Sequence, residues 1–313
     1  MKVLITGGAG FVGTNLVADL CAHGGYEITV LDNESLGERK NLAEFPVAFR
    51  QGDVRDKEAL RSAVPGQDAI VHLAADTRVM DSITDPRFNF ENNVVATFNL
   101  LEVARENGTP QLINASTGGA ILGEAPSPVH EEMVPRPLAP YGASKLAVEG
   151  YLNAFGATYG MTTCSLRFSN IYGPRSWHKG SVVAHFLKRM LRHEPITVYG
   201  DGSQVRDYLF SGDLTHGIRR AIETRASGVY QLGSGRPTTI NELLAHIQRV
   251  TGVKPSVSYA DFRAGEVHTT YCDITKAKRD LGFAPDTPLA DGIATTWDWF
   301  LRAYTPSQAT AAP

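Results

Sequence analysis

Short β-branched runs alternate with helical periodicities along the first two-thirds of the chain. Residues 3–6, 27–31, 47–50, 69–73, 112–114 and 163–168 read as strands, most of them apolar throughout. Residues 15–21, 87–106 and 141–159 carry helical patterns. In the long middle one, Phe90, Val94, Phe98 and Leu101 recur at spacings of four or three, and Gly108 ends it. Strands that are apolar on both faces and alternate with helices predict a parallel sheet covered on each side. Right-handed crossovers then make it a doubly wound α/β sheet, a Rossmann fold.

The rhythm changes after Gly173. A loop over 173–180 leads to a helix over 182–192, then short strands at 196–199 and 207–210, and one more sheet strand at 228–232. Helices at 240–251, 275–281 and 290–303 finish the pattern. The expected organisation is a Rossmann domain over 1–172, to which 205–245 return, and a smaller α/β C-terminal substrate domain from 173–204 and 246–304. The small, polar residues 305–313 are expected to form a flexible tail.

Composition narrows the classes. The chain has 313 residues and a formal net charge of −3, so no overall basic field recruits nucleic acid. It has neither an N-terminal signal pattern nor an apolar run long enough for a membrane span, and a cytoplasmic protein is expected. Cys21, Cys164 and Cys272 are odd in number and far apart, which gives neither a disulfide framework nor a zinc site.

The first strand runs into Gly7-Gly8-Ala9-Gly10-Phe11-Val12-Gly13 and then a helix. Gly8, Gly10 and Gly13 satisfy the dinucleotide spacing. Glycines allow the tight turn, let backbone approach a pyrophosphate, and let helix pack on strand. The helix N-terminus then presents free N–H groups to the phosphates. Asp32 ends the second strand nineteen residues past Gly13. A carboxylate there accepts both adenosine-ribose hydroxyls and repels a 2′-phosphate, which favours NAD over NADP. Asp53 ends the third strand, where the adenine edge would lie.

Tyr141 and Lys145 share one helix face, and Pro140 suits the helix start. A free phenol titrates near pH 10 and is a poor base at neutrality. A nearby lysine ammonium together with a charged nicotinamide ring would lower that value and let Tyr141 take a proton from a sugar hydroxyl. Ser116 and Thr117 close the preceding strand, and either hydroxyl could hydrogen-bond the reacting oxygen; Thr117 is favoured. His72 and His185 read as packing residues.

The ordered motifs GGAGFVG, LDN (31–33), GDV (52–54), HLAAD (72–76), NNVVAT (92–97), STGG, YGASK, LRFSNIYGPR (166–175), GDGSQVRDYLF and RAGE (263–266) resemble the extended short-chain dehydrogenases, specifically the NAD-dependent nucleotide-sugar epimerases and dehydratases. The resemblance implies a UDP-sugar 4-epimerase that works through a transient 4-keto sugar, with Tyr141, Lys145 and Thr117 as its catalytic residues. The sugar would be glucose or galactose, or an N-acetyl or uronate analogue. Besides Gly7, Gly10, Phe11, Val12, Gly13, Asp32, Asn33, Asp53 and Val54, the resemblance implies that Leu73, Ala74, Ala75, Asn93, Ser116 and Ser169 line NAD, with Tyr141 and Lys145 at its nicotinamide end. Val79, Thr117, Tyr141, Asn170, Val182, Tyr199, Arg206, Arg263 and Glu266 would hold the nucleotide sugar. It also implies a homodimer through the helices at 87–106 and 141–159.

Where the dehydratases carry an Asp-Glu pair this chain has Gly118-Gly119, which disfavours elimination. Thr270 replaces a bulky aromatic, leaving room for an N-acetyl group. The segment 76–82 lacks the lysine of the bacterial galactose-type enzymes and is closer to the dehydratase form. The basic loop 175–179 could meet a uronate carboxylate. The competing readings are another reaction of this family and a non-catalytic NAD-binding protein.

Overall fold

The computed structural model describes residues 1–262 and 267–303; Arg263, Glu266 and the tail 305–313 lie outside the described residues. In chain order the first elements are β1 (Lys2–Thr6), α1 (Phe11–His23), β2 (Glu27–Asp32), β3 (Ala48–Gln51), α2 (Lys57–Ala63), β4 (Ala69–His72), α3 (Val79–Thr84), α4 (Pro86–Phe90), α5 (Ala96–Glu106), β5 (Gln111–Thr117), α6 (Pro140–Tyr159) and β6 (Thr162–Phe168). There follow β7 (Asn170–Tyr172), α7 (Val182–Leu191), β8 (Ile196–Tyr199), β9 (Val205–Phe210), α8 (Ser211–Glu223), β10 (Gly228–Leu232), β11 (Pro237–Thr239), α9 (Ile240–Thr251), β12 (Val257–Ala260), α10 (Thr275–Leu281) and α11 (Leu289–Ala303).

Seven strands form one parallel sheet in the order β10-β6-β5-β4-β1-β2-β3. Alternation along each strand feeds two cores. From β1, Val3 and Ile5 join Leu16, Leu20, Leu214 and Ile218 on the face covered by α1 and α8. Leu4 joins Leu60, Leu100, Leu101 and Leu152 on the face covered by α2, α5 and α6. Each such side chain removed from water contributes about 1.5–3 kcal/mol. A third cluster, including Phe186, Leu187, Leu243, Ile247 and Phe300, packs α7, α9 and α11 around the short strands β8 and β9. The small sheets β11-β9-β7 and β12-β8 flank it.

The long helix expected over 87–106 is interrupted. A π-helical turn at Glu91–Val95 separates α4 from α5. The wider turn rotates the apolar row: Val94 and Leu101 are buried, but Phe90 is 48% exposed. Helix α8 is not among the expected helices, although Leu214, Ile218, Ala221 and Ile222 recur at helical spacing on its buried face; Gly217 sits in its middle. There a Cβ would come 2.9 Å from the ring of Phe283, so the glycine allows a close packing that a side chain would prevent. Among the described residues, no helix is long and apolar enough to cross a membrane.

Candidate active site

Strand β1 lies where the sheet reverses, with β2 on one side and β4 on the other. A crevice opens there, beyond the carboxyl ends of the strands. Gly7 has φ +70, and a Cβ on it would fall 2.7 Å from the Ala74 nitrogen. On Gly13 a Cβ would fall 2.4 Å from the Gly7 carbonyl oxygen, so α1 rests directly on the turn. The N-cap of α1 is Gly10, with no side-chain cap and no acid in the first turn. Its N–H groups and positive dipole end are left for an anion. Asp32 is buried; Oδ2 accepts the Ala9 N–H at 2.9 Å and Oδ1 the Glu34 N–H at 2.8 Å. Burial raises its pKa. Asp53 accepts two hydrogen bonds from the Arg55 side chain and one from Asn33, which hold its carboxyl down at about 2.

Gly7, Gly10, Phe11, Val12, Gly13, Asp32, Asn33, Asp53, Val54, Leu73, Ala74, Ala75, Ser116, Tyr141 and Lys145 line this one cleft together. A side-chain-free cradle, an uncapped helix end and a carboxylate at the ribose position fit a dinucleotide. Two expected cofactor residues do not line it. Asn93 is buried behind it: its Oδ1 accepts the Asp76 N–H at 2.8 Å and its Nδ2 donates to the Asp76 carbonyl at 2.9 Å. Asn93 therefore braces the chain after β4, and it does so from the π-helical turn. Ser169 follows β6, and its Oγ is buried without a hydrogen-bond partner.

Tyr141 opens α6, and its N–H donates to Ser82 Oγ at 3.1 Å, so α3 satisfies that helix end. Thr117, at the end of β5, acts on its phenol and favours the ionised form. Ser116 is committed elsewhere, donating to Glu149 Oε1 at 2.6 Å. This separates the two hydroxyls that the sequence left open. Lys145 lies one turn beyond Tyr141, its Nζ 6.0 Å from the Tyr141 ring centroid and donating to the Ala115 carbonyl at 2.9 Å. Beneath it Glu149 meets Arg167 in a buried bidentate pair, at 2.9 Å to Nε and 2.8 Å to Nη2.

Without a cofactor, burial sets the state of the phenol. The phenol of Tyr141 is pushed up to about 12, because burial outweighs the effect of Thr117 and Asp76 adds negative charge nearby. Lys145 does not by itself reverse this. Burial lowers Lys145 to about 8, against the pull of Glu149. The remaining lever is a cation placed against the phenol, as a nicotinamide ring would be. His72 is a packing residue as expected, held between Thr6 Oγ1 at 2.7 Å and Thr97 Oγ1 at 2.9 Å.

Of the expected substrate residues, Asn170, Val182, Tyr199 and Arg206 line a second cleft. His185, Arg189, Gln204 and Tyr208 join them there; Gln204 Oε1 and the Tyr208 hydroxyl are buried without a partner. Val79 starts α3, 40% exposed, and lines neither cleft. Asp76, Arg78, His178 and Lys179 line the first cleft and were not in the expected site. The basic loop hinted at the last two, but no spacing rule ties Lys179 to Thr77, 102 residues away in sequence.

Two outcomes follow from this geometry. Glu149→Ala leaves the Arg167 charge buried and unpaired and should cost about 3–5 kcal/mol in chemical denaturation. Replacing both by Met should cost less than either single change; equal or additive losses would contradict the pairing. In the cofactor-free protein, phenolate absorbance from Tyr141, taken as wild type minus Tyr141→Phe, should be absent near pH 10, where an ordinary tyrosine is half ionised. Because burial raises the value and a cation lowers it, NAD should move that ionisation to lower pH. The same titration with and without NAD would contradict the account.

The profile of the NAD dependent epimerase/dehydratase family matches residues 3–233. The chain is 35% identical to a UDP-glucose 4-epimerase of Mycolicibacterium smegmatis, over 96% of this chain and 98% of that protein. It is also 33% identical to a dTDP-glucose 4,6-dehydratase of Streptomyces griseus, over 95% and 93%. The crystal structure of Thermus thermophilus UDP-glucose 4-epimerase in complex with NAD superposes with a TM-score of 0.90 at 39% identity, covering 97% of this chain and 100% of that one. The cofactor expected from Asp32 is thus the one on which the family depends: the chain belongs to the NAD-dependent epimerase/dehydratase family.

Proposed function

We propose that the protein is a 4-epimerase of UDP-sugars. The observation that carries this reading is Tyr141 and Lys145 together in the dinucleotide cleft, with Thr117 acting on the phenol and with Gly118-Gly119 following it in place of acidic side chains. A Cβ on Gly118 would lie 2.8 Å from Gln231 Oε1, and one on Gly119 3.1 Å from Thr270 Cγ2. An Asp-Glu pair at these positions would have to displace both neighbours. The UDP-glucose 4-epimerases among the relatives support the reading, and the dehydratase relatives make the glycine pair the discriminating feature.

In this mechanism the nucleotide occupies the second cleft and the sugar reaches Tyr141 in the first. Tyr141 Oη takes the proton of the 4-hydroxyl while Thr117 hydrogen-bonds the same oxygen. NAD supplies the acceptor for the C4 hydride and, on return, its donor. The 4-keto sugar turns its other face, and Tyr141 gives the proton back to O4. Lys145 adds positive charge near the phenol, and the cleft's apolar walls keep water from the ketone. Asp32 holds the adenosine ribose, and Arg206 and Tyr199 hold the nucleotide. Arg263 and Glu266 are assigned to the nucleotide by the motif alone. We extend the reading to a homodimer: Phe90, Val95 and Tyr151, on the helices expected to pair, are 48%, 37% and 43% exposed.

Purified protein incubated with UDP-glucose, UDP-N-acetylglucosamine, UDP-glucuronate and dTDP-glucose should convert at least one UDP-sugar to its C4 epimer, resolved by NMR, without accumulating NADH. A product lighter by one water, or stoichiometric NADH, would reject epimerisation. Tyr141→Phe should lose about 10²–10⁴-fold in rate while still binding NAD; near-normal turnover would remove Tyr141 as the base. The same preparation should sediment as a dimer, and a monomer at assay concentration would refute that part.

A further inference from the structure

Two loops meet at the mouth of the first cleft. One follows β4 and carries Asp76, Thr77 and Arg78; the other joins β7 to α7 and carries His178 and Lys179. The second loop also divides the two clefts. His178 and Lys179 line the first, while Gly180, Ser181 and Val182 line the second. A ligand with its base in the second cleft and its sugar at Tyr141 must cross at Lys179.

The charges at this crossing are incompletely matched. The Lys179 ammonium makes one long hydrogen bond, 3.5 Å to Thr77 Oγ1. Lys188 Nζ donates to the Lys179 carbonyl at 2.8 Å, which pins the loop and adds a second cation. Asp76 is buried; its Oδ1 takes Arg78 Nε at 2.9 Å, while Oδ2 is buried without a hydrogen-bond partner. Among the described residues, no ion pair joins Asp76 to Lys179. Burial lowers both His178 and Lys179, and Lys179 and Lys188 push His178 down further; Asp76 pulls Lys179 and Glu38 pulls His178 the other way. A partly buried ammonium that feels the Asp76 carboxylate but makes no ion pair with it is incompletely compensated, and an anion arriving with the ligand would complete the match.

We propose that Lys179 is a substrate-binding residue that takes an anionic oxygen of the nucleotide sugar as it passes between the two clefts. Two groups on such a ligand supply that chemistry, the diphosphate and a sugar carboxylate. This rests on the nucleotide-sugar reading above. Lys179 belongs to neither the proton-transfer residues nor the glycine cradle, so its contribution is to binding, and to the choice of substrate where the anion is a sugar carboxylate.

The test is calorimetric binding of UDP, UDP-glucose and UDP-glucuronate to the NAD-loaded protein, comparing wild type with Lys179→Met, Lys179→Gln and Lys179→Arg. If Lys179 takes the diphosphate, Met and Gln should weaken all three ligands about tenfold alike. If it takes a carboxylate, only UDP-glucuronate should weaken. In either case Lys179→Arg should recover most of the loss, and added salt should weaken wild type more than the Met variant. NAD binding and thermal unfolding of the variants should match wild type, which separates this effect from misfolding. If Met and Gln bind all three ligands as wild type does, the proposal is overturned while the nucleotide-sugar reading stands. If wild type itself binds none of the three, both fall.

Discussion

A buried ion pair, Glu149 with Arg167, ties together the three elements that the chemistry uses. Arg167 sits in β6 directly opposite Ser116 of β5, and both reach Glu149 of α6. One turn earlier on α6, Lys145 closes onto the Ala115 carbonyl. Two charges out of water are stable only with good geometry and further hydrogen bonds, and the bidentate contact plus Ser116 supplies both. The pair therefore fixes α6 over the ends of β5 and β6. Tyr141, two turns from Glu149 along the same helix, then has one available position, against Thr117.

The second constraint is steric. The glycine turn works because Gly7 and Gly13 leave no space for a Cβ, and because the uncapped end of α1 points into the crevice beside β4. The sheet order places this crevice next to the end of β5, so cofactor cradle and phenol share one cleft. Neither half sets a reaction alone. The cradle binds a dinucleotide for any dehydrogenase chemistry. The phenol, pushed up to about 12 by burial, stays protonated at neutral pH unless a cation is brought against it. In the proposed reaction, their coupling makes the base available when the cofactor is bound.

Much of this could be read in the sequence because it depends on local rules. The turn, Asp32 and the pair Tyr141–Lys145 are spacings along one strand or one helix. Helix α8 is absent from the expected pattern even though Leu214, Ile218 and Ile222 recur every four residues; Gly217 between them is what Phe283 packs against. Phe90 was placed in an apolar row that the π-helical turn then rotates outward. Asn93 was expected at the cofactor and instead braces Asp76. Glu149, and the tertiary contact of Lys179 within its basic loop, escaped for a different reason. Their partners, Arg167 and Thr77, lie on other elements, and nothing in the local pattern marks a contact that tertiary packing creates.

The central claim is that hydride leaves C4 and returns to it within one closed cleft, with NAD recycled in place. The most direct measurement uses a UDP-sugar substrate deuterated at C4. The account predicts that the epimerised product keeps the deuterium at C4, with none appearing in water or in released cofactor. Loss of the label to solvent, or its recovery in free reduced cofactor, would contradict it.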